Sequence, residues 1–192
     1  MHRCLVANRG EIAVRIIRAC RELGIETVAV YAVGDEQSLH VSLADQAVCI
    51  GEANALDSYL NQDRIISAAQ ITESTAIHPG YGFLSESPSF ADKVEQNGLY
   101  FIGPTKETME LMGDKITARQ TVDAAKVPII PGSKGAVESL SEVETIASDI
   151  GYTLVLKAAS GGGGKGIRIV KSRHRLEKSF KEAKSEGKKY FD

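Results

Sequence analysis

The chain predicts an α/β fold in two parts, a Rossmann-like parallel sheet covered by helices and then a smaller α/β unit. Two observations carry this expectation. Over the first hundred residues, short apolar runs alternate with helical patterns, and near residue 160 two strand patterns flank a glycine-rich segment, with no internal repeat or disordered linker. A length of 192 residues suffices for two small packed units.

In order, CLVA at 4–7 reads as the first strand. Ile12, Ile16, Cys20 and Leu23 then recur at helical spacing, and Gly24 stands where a left-handed C-terminal cap is needed. IETVAVY at 25–31 and QAVCI at 46–50 read as the second and third strands. DRIISAAQI at 63–71 is a helix with Asn61 near its start, and TAIH at 75–78 is a fourth strand. Ser87 and Pro88 are N-cap and first residue of the next helix, with Phe90 and Val94 facing inward and Gly98 ending it. LYFI at 99–102 makes the fifth strand, so residues 1–104 form the first domain. A helical connector follows over 105–127, its two patterns broken at Gly113 and Asp114, where Asp114 caps the second. The second unit occupies 128–192. In it, Ser141 and Glu144 make a capping-box pair ahead of Val143, Ile146, Ala147 and Ile150, and Gly151 closes the helix. TLVLKA at 153–158 and IRIV at 167–170 are its strands, and a Lys-rich helical tail runs from Arg173.

Composition narrows the function classes. Apolar residues make up 43% and charged residues 25%, which suits a globular protein with a core. A net charge of -2 leaves no global basic field for nucleic acid, so any phosphate ligand must be held locally. No stretch reads as a membrane span, and MHRCLVANRGE has no secretory pattern, so a cytoplasmic location is expected. Cys4, Cys20 and Cys49 fall in apolar patterns without metal spacing and are expected to be buried free thiols, and no metal site is expected in this chain.

The segment from Gly161 to Gly166 is the most informative, because five glycines in six positions are costly to order. Without a Cβ, successive amides can turn toward a phosphate oxygen at close range; a flexible hairpin loop is the plainer alternative. A Walker A loop is rejected, since it needs glycine at Ala159 and Ser or Thr at Gly166. The spacing of Gly161, Gly163 and Gly166 matches a dinucleotide fingerprint, but that motif must open a helix and IRIV follows instead. The turn ANRGEI also lacks the fingerprint, which removes a nicotinamide-dependent oxidoreductase. Lys157, four residues before the glycines, shares a strand face with Val155 and can point at whatever the glycine segment covers. Lys115 by itself reads as an exposed helix-start residue.

ANRGEIAVRIIRAC at 7–20, HPGYGFLSE at 78–86, FIGPT at 101–105, MGDK at 112–115 and KAASGGGGKG at 157–166 together resemble biotin carboxylases, and the likeness covers essentially the whole chain. It is nearest to the N-terminal part of the biotin carboxylase subunit of bacterial acetyl-CoA carboxylases, with the equivalent domain of pyruvate or propionyl-CoA carboxylases as the alternative. The resemblance implies a pre-ATP-grasp domain followed by an incomplete ATP-grasp lid. It also implies a ligase in which ATP phosphorylates bicarbonate, carboxyphosphate decomposes, and carrier-borne biotin captures the CO2, the first step of fatty acid synthesis in the acetyl-CoA case.

For residues, the resemblance implies that Lys115 and Lys157 bind ATP, with Gly162, Gly163, Gly164, Lys165 and Gly166 in a lid over the triphosphate. Tyr81 and Gly82 are implied beside the biotin ureido ring; His78 is read as a structural histidine and Glu86 as a helix N-terminal acid. Arg15, Arg18 and Glu22 share one polar helix face, which is either solvated or, as the resemblance implies, a two-fold dimer interface. Expected cofactors are ATP, Mg2+ with ligands beyond residue 192, and biotin as carried substrate. Expected partners are a biotin carboxyl carrier protein, carboxyltransferase subunits and a second copy of the chain. No catalytic residue is assigned within 1–192, so the chain is expected to be inactive alone; a non-catalytic nucleotide-binding or dimerisation module is the alternative.

Overall fold

The computed structural model describes residues 2–157 and 167–191, with side chains as far as residue 185. It divides into two compact units, Met1–Gly113 and Asp114–Asp192.

The first unit is a five-stranded parallel sheet in the order β3-β2-β1-β4-β5. Its strands are β1 (Arg3–Val6), β2 (Glu26–Ala32), β3 (Gln46–Gly51), β4 (Ala76–His78) and β5 (Tyr100–Phe101). Parallel pairing needs crossovers, supplied by α1 (Gly10–Glu22), α2 (Leu39–Leu43), α3 (Gln62–Ile71) and α4 (Pro88–Gln96), with α5 (Lys106–Gly113) following β5. Cys4, Leu5 and Val6 are all buried, as expected of a strand covered on both faces. Alternation sends Leu5, Val28, Val30 and Ile77 to a cluster with Ile65 and Phe90. Cys4, Val6 and Ala29 go to the other face, against Ala13, Ile16, Ile17 and Cys20 of α1.

The expected punctuation holds at most ends. Gly24 takes φ +68 after α1. Asn61 accepts from the Arg64 amide at 3.1 Å, and Ser87 accepts from the Phe90 amide at 3.3 Å ahead of Pro88. Two readings are corrected. Cys49 is exposed, because β3 is an edge strand on which Cys49 points away from the side where Ile50 is buried; Cys4 and Cys20 are the buried thiols. The short α2, absent from the periodicity reading, is held by buried His40 rather than by an apolar stripe.

The second unit contains α6 (Lys115–Ala124), α7 (Leu140–Ile150), β6 (Leu154–Lys157), β7 (Ile167–Val170) and α8 (Leu176–Phe191). Asp114 caps α6 by accepting from the Thr117 amide at 2.8 Å. β6 and β7 pair antiparallel with Lys157 opposite Ile167, and their inner face packs Leu154 and Val170 against Val143, Ala147 and Leu176. The capping box of α7 is Ser139 with Glu142, not Ser141 with Glu144. Both pairs have the same spacing; the earlier one is used because the helix begins at Leu140, whose side chain joins the cluster.

Candidate functional site

In the first unit the strand order reverses at β1, so the loops after β1 and β4 meet at the carboxyl end of the sheet, where open α/β folds place ligands. Asn8, two residues beyond β1, is only 3% exposed. Its Nδ2 donates to the Pro79 carbonyl at 2.7 Å and to the Tyr81 carbonyl at 2.8 Å, and its Oδ1 accepts from the Arg9 amide at 2.9 Å. The loop it holds bends through left-handed residues, Gly80 at φ +67, Gly82 at +69 and Phe83 at +42. A side chain at Gly80 would put its Cβ 2.8 Å from Asn8 Nδ2, so glycine is required there for close approach as well as for φ. Tyr81 is 58% exposed, with its hydroxyl on the Glu11 carboxylate. His78 turns inward, its Nδ1 accepting from the Gly80 amide at 3.0 Å, and burial holds its pKa below the usual histidine value. That contact ties the end of β4 to the turn at Gly80.

A second cluster braces the same loop. The Phe83 ring stacks on Tyr59 at 5.0 Å, and the Arg9 guanidinium lies 5.1 Å from the Tyr59 centroid and 5.7 Å from that of Phe83. Arg9 pairs with Asp35 at 3.2 Å, and the Tyr59 hydroxyl donates to Asp35 at 2.7 Å. Partial burial pulls the Asp35 pKa upward, but donation from Tyr59 and the Arg9 charge outweigh it and hold the carboxyl below its ordinary value. Nothing in the spacing of Arg9, Asp35 and Tyr59 announces this cluster; each lies just beyond a strand or in a loop, where periodicity is silent.

In the second unit Lys115 and Lys157 line one cleft of about 1000 Å³. Val137, Val143 and Ile146 form an apolar side, and Arg119, Lys134 and Lys184 add cationic groups. Arg119 donates to the Ile130 carbonyl at 2.6 Å and Gln120 to that of Lys134 at 3.2 Å, tying α6 to the segment before α7. Val155 and Lys157 lie on the exposed face of β6, as alternation requires. Apolar walls beside several cations suit a flat organic group carrying an anionic tail. Gly162, Gly163, Gly164, Lys165 and Gly166 lie outside the described residues. Arg15, Arg18 and Glu22 are exposed on one face of α1.

Comparison with known proteins gives this geometry a family. The family described as "Biotin carboxylase, N-terminal domain" matches residues 1–109, and "Carbamoyl-phosphate synthase L chain, ATP binding domain" matches 114–192. Biotin carboxylase 1 of Bacillus subtilis is 51% identical over 183 residues, 95% of this chain and 41% of the relative. The 2-oxoglutarate carboxylase small subunit of Hydrogenobacter thermophilus is 49% identical over 187 residues, 97% of this chain and 39% of the relative. The crystal structure of biotin carboxylase from Campylobacter jejuni in a β-γ-ATP complex superposes with a TM-score of 0.89 at 46% identity, over 98% of this chain and 42% of that one. The fold is thus a parallel-sheet α/β domain joined to part of an ATP-grasp domain. The chain belongs to the biotin carboxylase family. It spans about two fifths of the length of the curated relatives it matches.

Proposed function

We propose that this chain forms the biotin-facing and part of the ATP-binding portion of a biotin carboxylase, a ligase that uses ATP and bicarbonate to carboxylate biotin on a carrier protein. The observation carrying the reading is that Lys115 and Lys157, distant in sequence, line a single cleft whose walls are partly apolar. In this reading the two ammonium groups hold the nucleotide phosphates. Gly162, Gly163, Gly164, Lys165 and Gly166 close over the triphosphate, which excludes water from the labile carboxyphosphate. Tyr81 and Gly82, on the loop after β4, face the ureido ring.

Mg2+ is the family's expected metal, yet among the described residues no group of three or more His, Cys, Asp or Glu side chains comes together. The same reading takes 1–104 as the first domain, 105–127 as a connector and 128–192 as a lid subdomain. It makes Arg15, Arg18 and Glu22 part of a homodimer interface and names a biotin carboxyl carrier protein and carboxyltransferase subunits as partners. The resemblance in the sequence favours acetyl-CoA carboxylase and fatty acid synthesis; the 2-oxoglutarate relative keeps other acceptors in play. A cytoplasmic location accords with the finding that, among the described residues, no helix is long and apolar enough to cross a membrane.

Equilibrium binding of ATP to the 192-residue chain tests the nucleotide reading. Saturable binding is expected, weakened roughly tenfold in Lys157→Ala and in Lys115→Ala, the size of one lost charge-assisted contact. Absence of binding, or affinity indifferent to both substitutions, would remove these lysines from the site.

A further inference from the structure

We infer that Asn8 is a positioning residue for biotin, acting through the backbone of the loop that carries Tyr81 and Gly82; the inference rests on the reading of that loop as biotin-facing. The chemistry leaves one orientation for its amide. The two groups at 2.7 and 2.8 Å are carbonyl oxygens of Pro79 and Tyr81, so the nitrogen end must face them. The Arg9 amide N–H, at 2.9 Å, must meet the oxygen end. Asn8 therefore joins the start of α1 to the residues on either side of Gly80, and the residue is buried.

The clasp and the loop are fitted to one another. A Cβ on Gly80 would stand 2.8 Å from Asn8 Nδ2, 3.2 Å from Asn8 Cγ and 3.2 Å from Ile12 Cγ1, so the loop backbone lies directly on the amide. Gly80 and Gly82 at φ +67 and +69 have little intrinsic preference for that conformation. Held by Asn8, the Tyr81 carbonyl points inward, while Tyr81 as a whole stays exposed. Without these two bonds from Asn8 the loop loses side-chain anchors on the Pro79 and Tyr81 carbonyls and samples other turns. A ligand that needs one arrangement then binds more weakly in proportion to the fraction that keeps it.

The test follows backbone amide resonances of the 192-residue chain during titration with free biotin. In the wild type the amides of Tyr81, Gly82 and Phe83 are expected to shift in a saturable way. Asn8→Asp keeps size and the acceptor for the Arg9 amide but turns a carboxylate toward two carbonyl oxygens; its dissociation constant for biotin should rise at least about tenfold. Asn8→Ser, which retains a single donor, should also weaken binding and serves if the aspartate variant does not fold. Val94→Ala, a core truncation in α4 that removes no hydrogen bond to the loop, should destabilise the fold yet bind biotin like the wild type. Wild-type affinity in both Asn8 variants overturns the inference, and so does an equal loss in Val94→Ala, which would reduce Asn8 to a purely structural role. If wild-type loop amides ignore biotin, the biotin-facing reading itself fails, a result distinct from either of those.

Discussion

His40 shows how one side chain can set the acid limit of the first unit. It is 1% exposed, and its Nε2 stands 3.2 Å from the Val30 carbonyl, so Nε2 carries the proton of the neutral ring. Nδ1 is buried with no hydrogen-bond partner among the described residues, so a second proton there would be buried without an acceptor. Burial lowers its pKa; the Val30 carbonyl and Asp35 oppose this, and Arg9 adds to it. A histidine lowered below its unfolded value of 6.5 leaves stability intact above that pH and erodes it as the pH falls. Urea midpoints should therefore drop between pH 7.5 and 5.5, and less steeply in His40→Gln. An equal slope in that variant would move the acid sensitivity to His78, which burial also lowers. His40 was invisible to sequence reasoning because a lone histidine in a polar segment has no periodicity to place it. Asn8 was missed for a related reason. Its partners are backbone carbonyls 71 and 73 residues away, and a carbonyl leaves no mark in the sequence. Lys157 was legible, since strand alternation and the adjacent glycines both point to it.

Helices and strands were legible where their ends carry chemistry. Asn61, Ser87 with Pro88, Asp114 and the glycines at 24 and 151 all mark real ends, because each satisfies orphan amides or supplies a left-handed residue. Ambiguity arose where two signals share a spacing, as at Ser139 and Ser141, and only packing of Leu140 decides between them. The exposure of Cys49 was hidden because strand order, which makes β3 an edge, is not written in any one segment. Among the caps, Asn61 offers a clean measurement. Asn61→Ala should lower stability by about 1 kcal/mol in chemical denaturation, with the Arg64 amide losing its acceptor. Asn61→Gly should cost only about a few tenths of a kcal/mol, and an Asn61→Ala variant as stable as the parent would show that the cap bond contributes little.

Two compact units, one presenting a clasped loop at the switch point of a parallel sheet and one a lysine-lined cleft, together account for the likeness to biotin carboxylases. The glycine-rich segment and the HPGYGFLSE loop stand out in the sequence, whereas the cleft arises from segments between residues 115 and 184 that only the fold brings together. The most direct test replaces the matching segment of Bacillus subtilis biotin carboxylase, 41% of that protein, with this chain. The hybrid should release ADP from ATP in a bicarbonate-dependent, biotin-stimulated manner, and Lys157→Ala should reduce that rate at least about tenfold. A folded hybrid that releases no ADP while the parent enzyme does, or one indifferent to Lys157→Ala, would contradict the assignment of this chain as a working part of a biotin carboxylase.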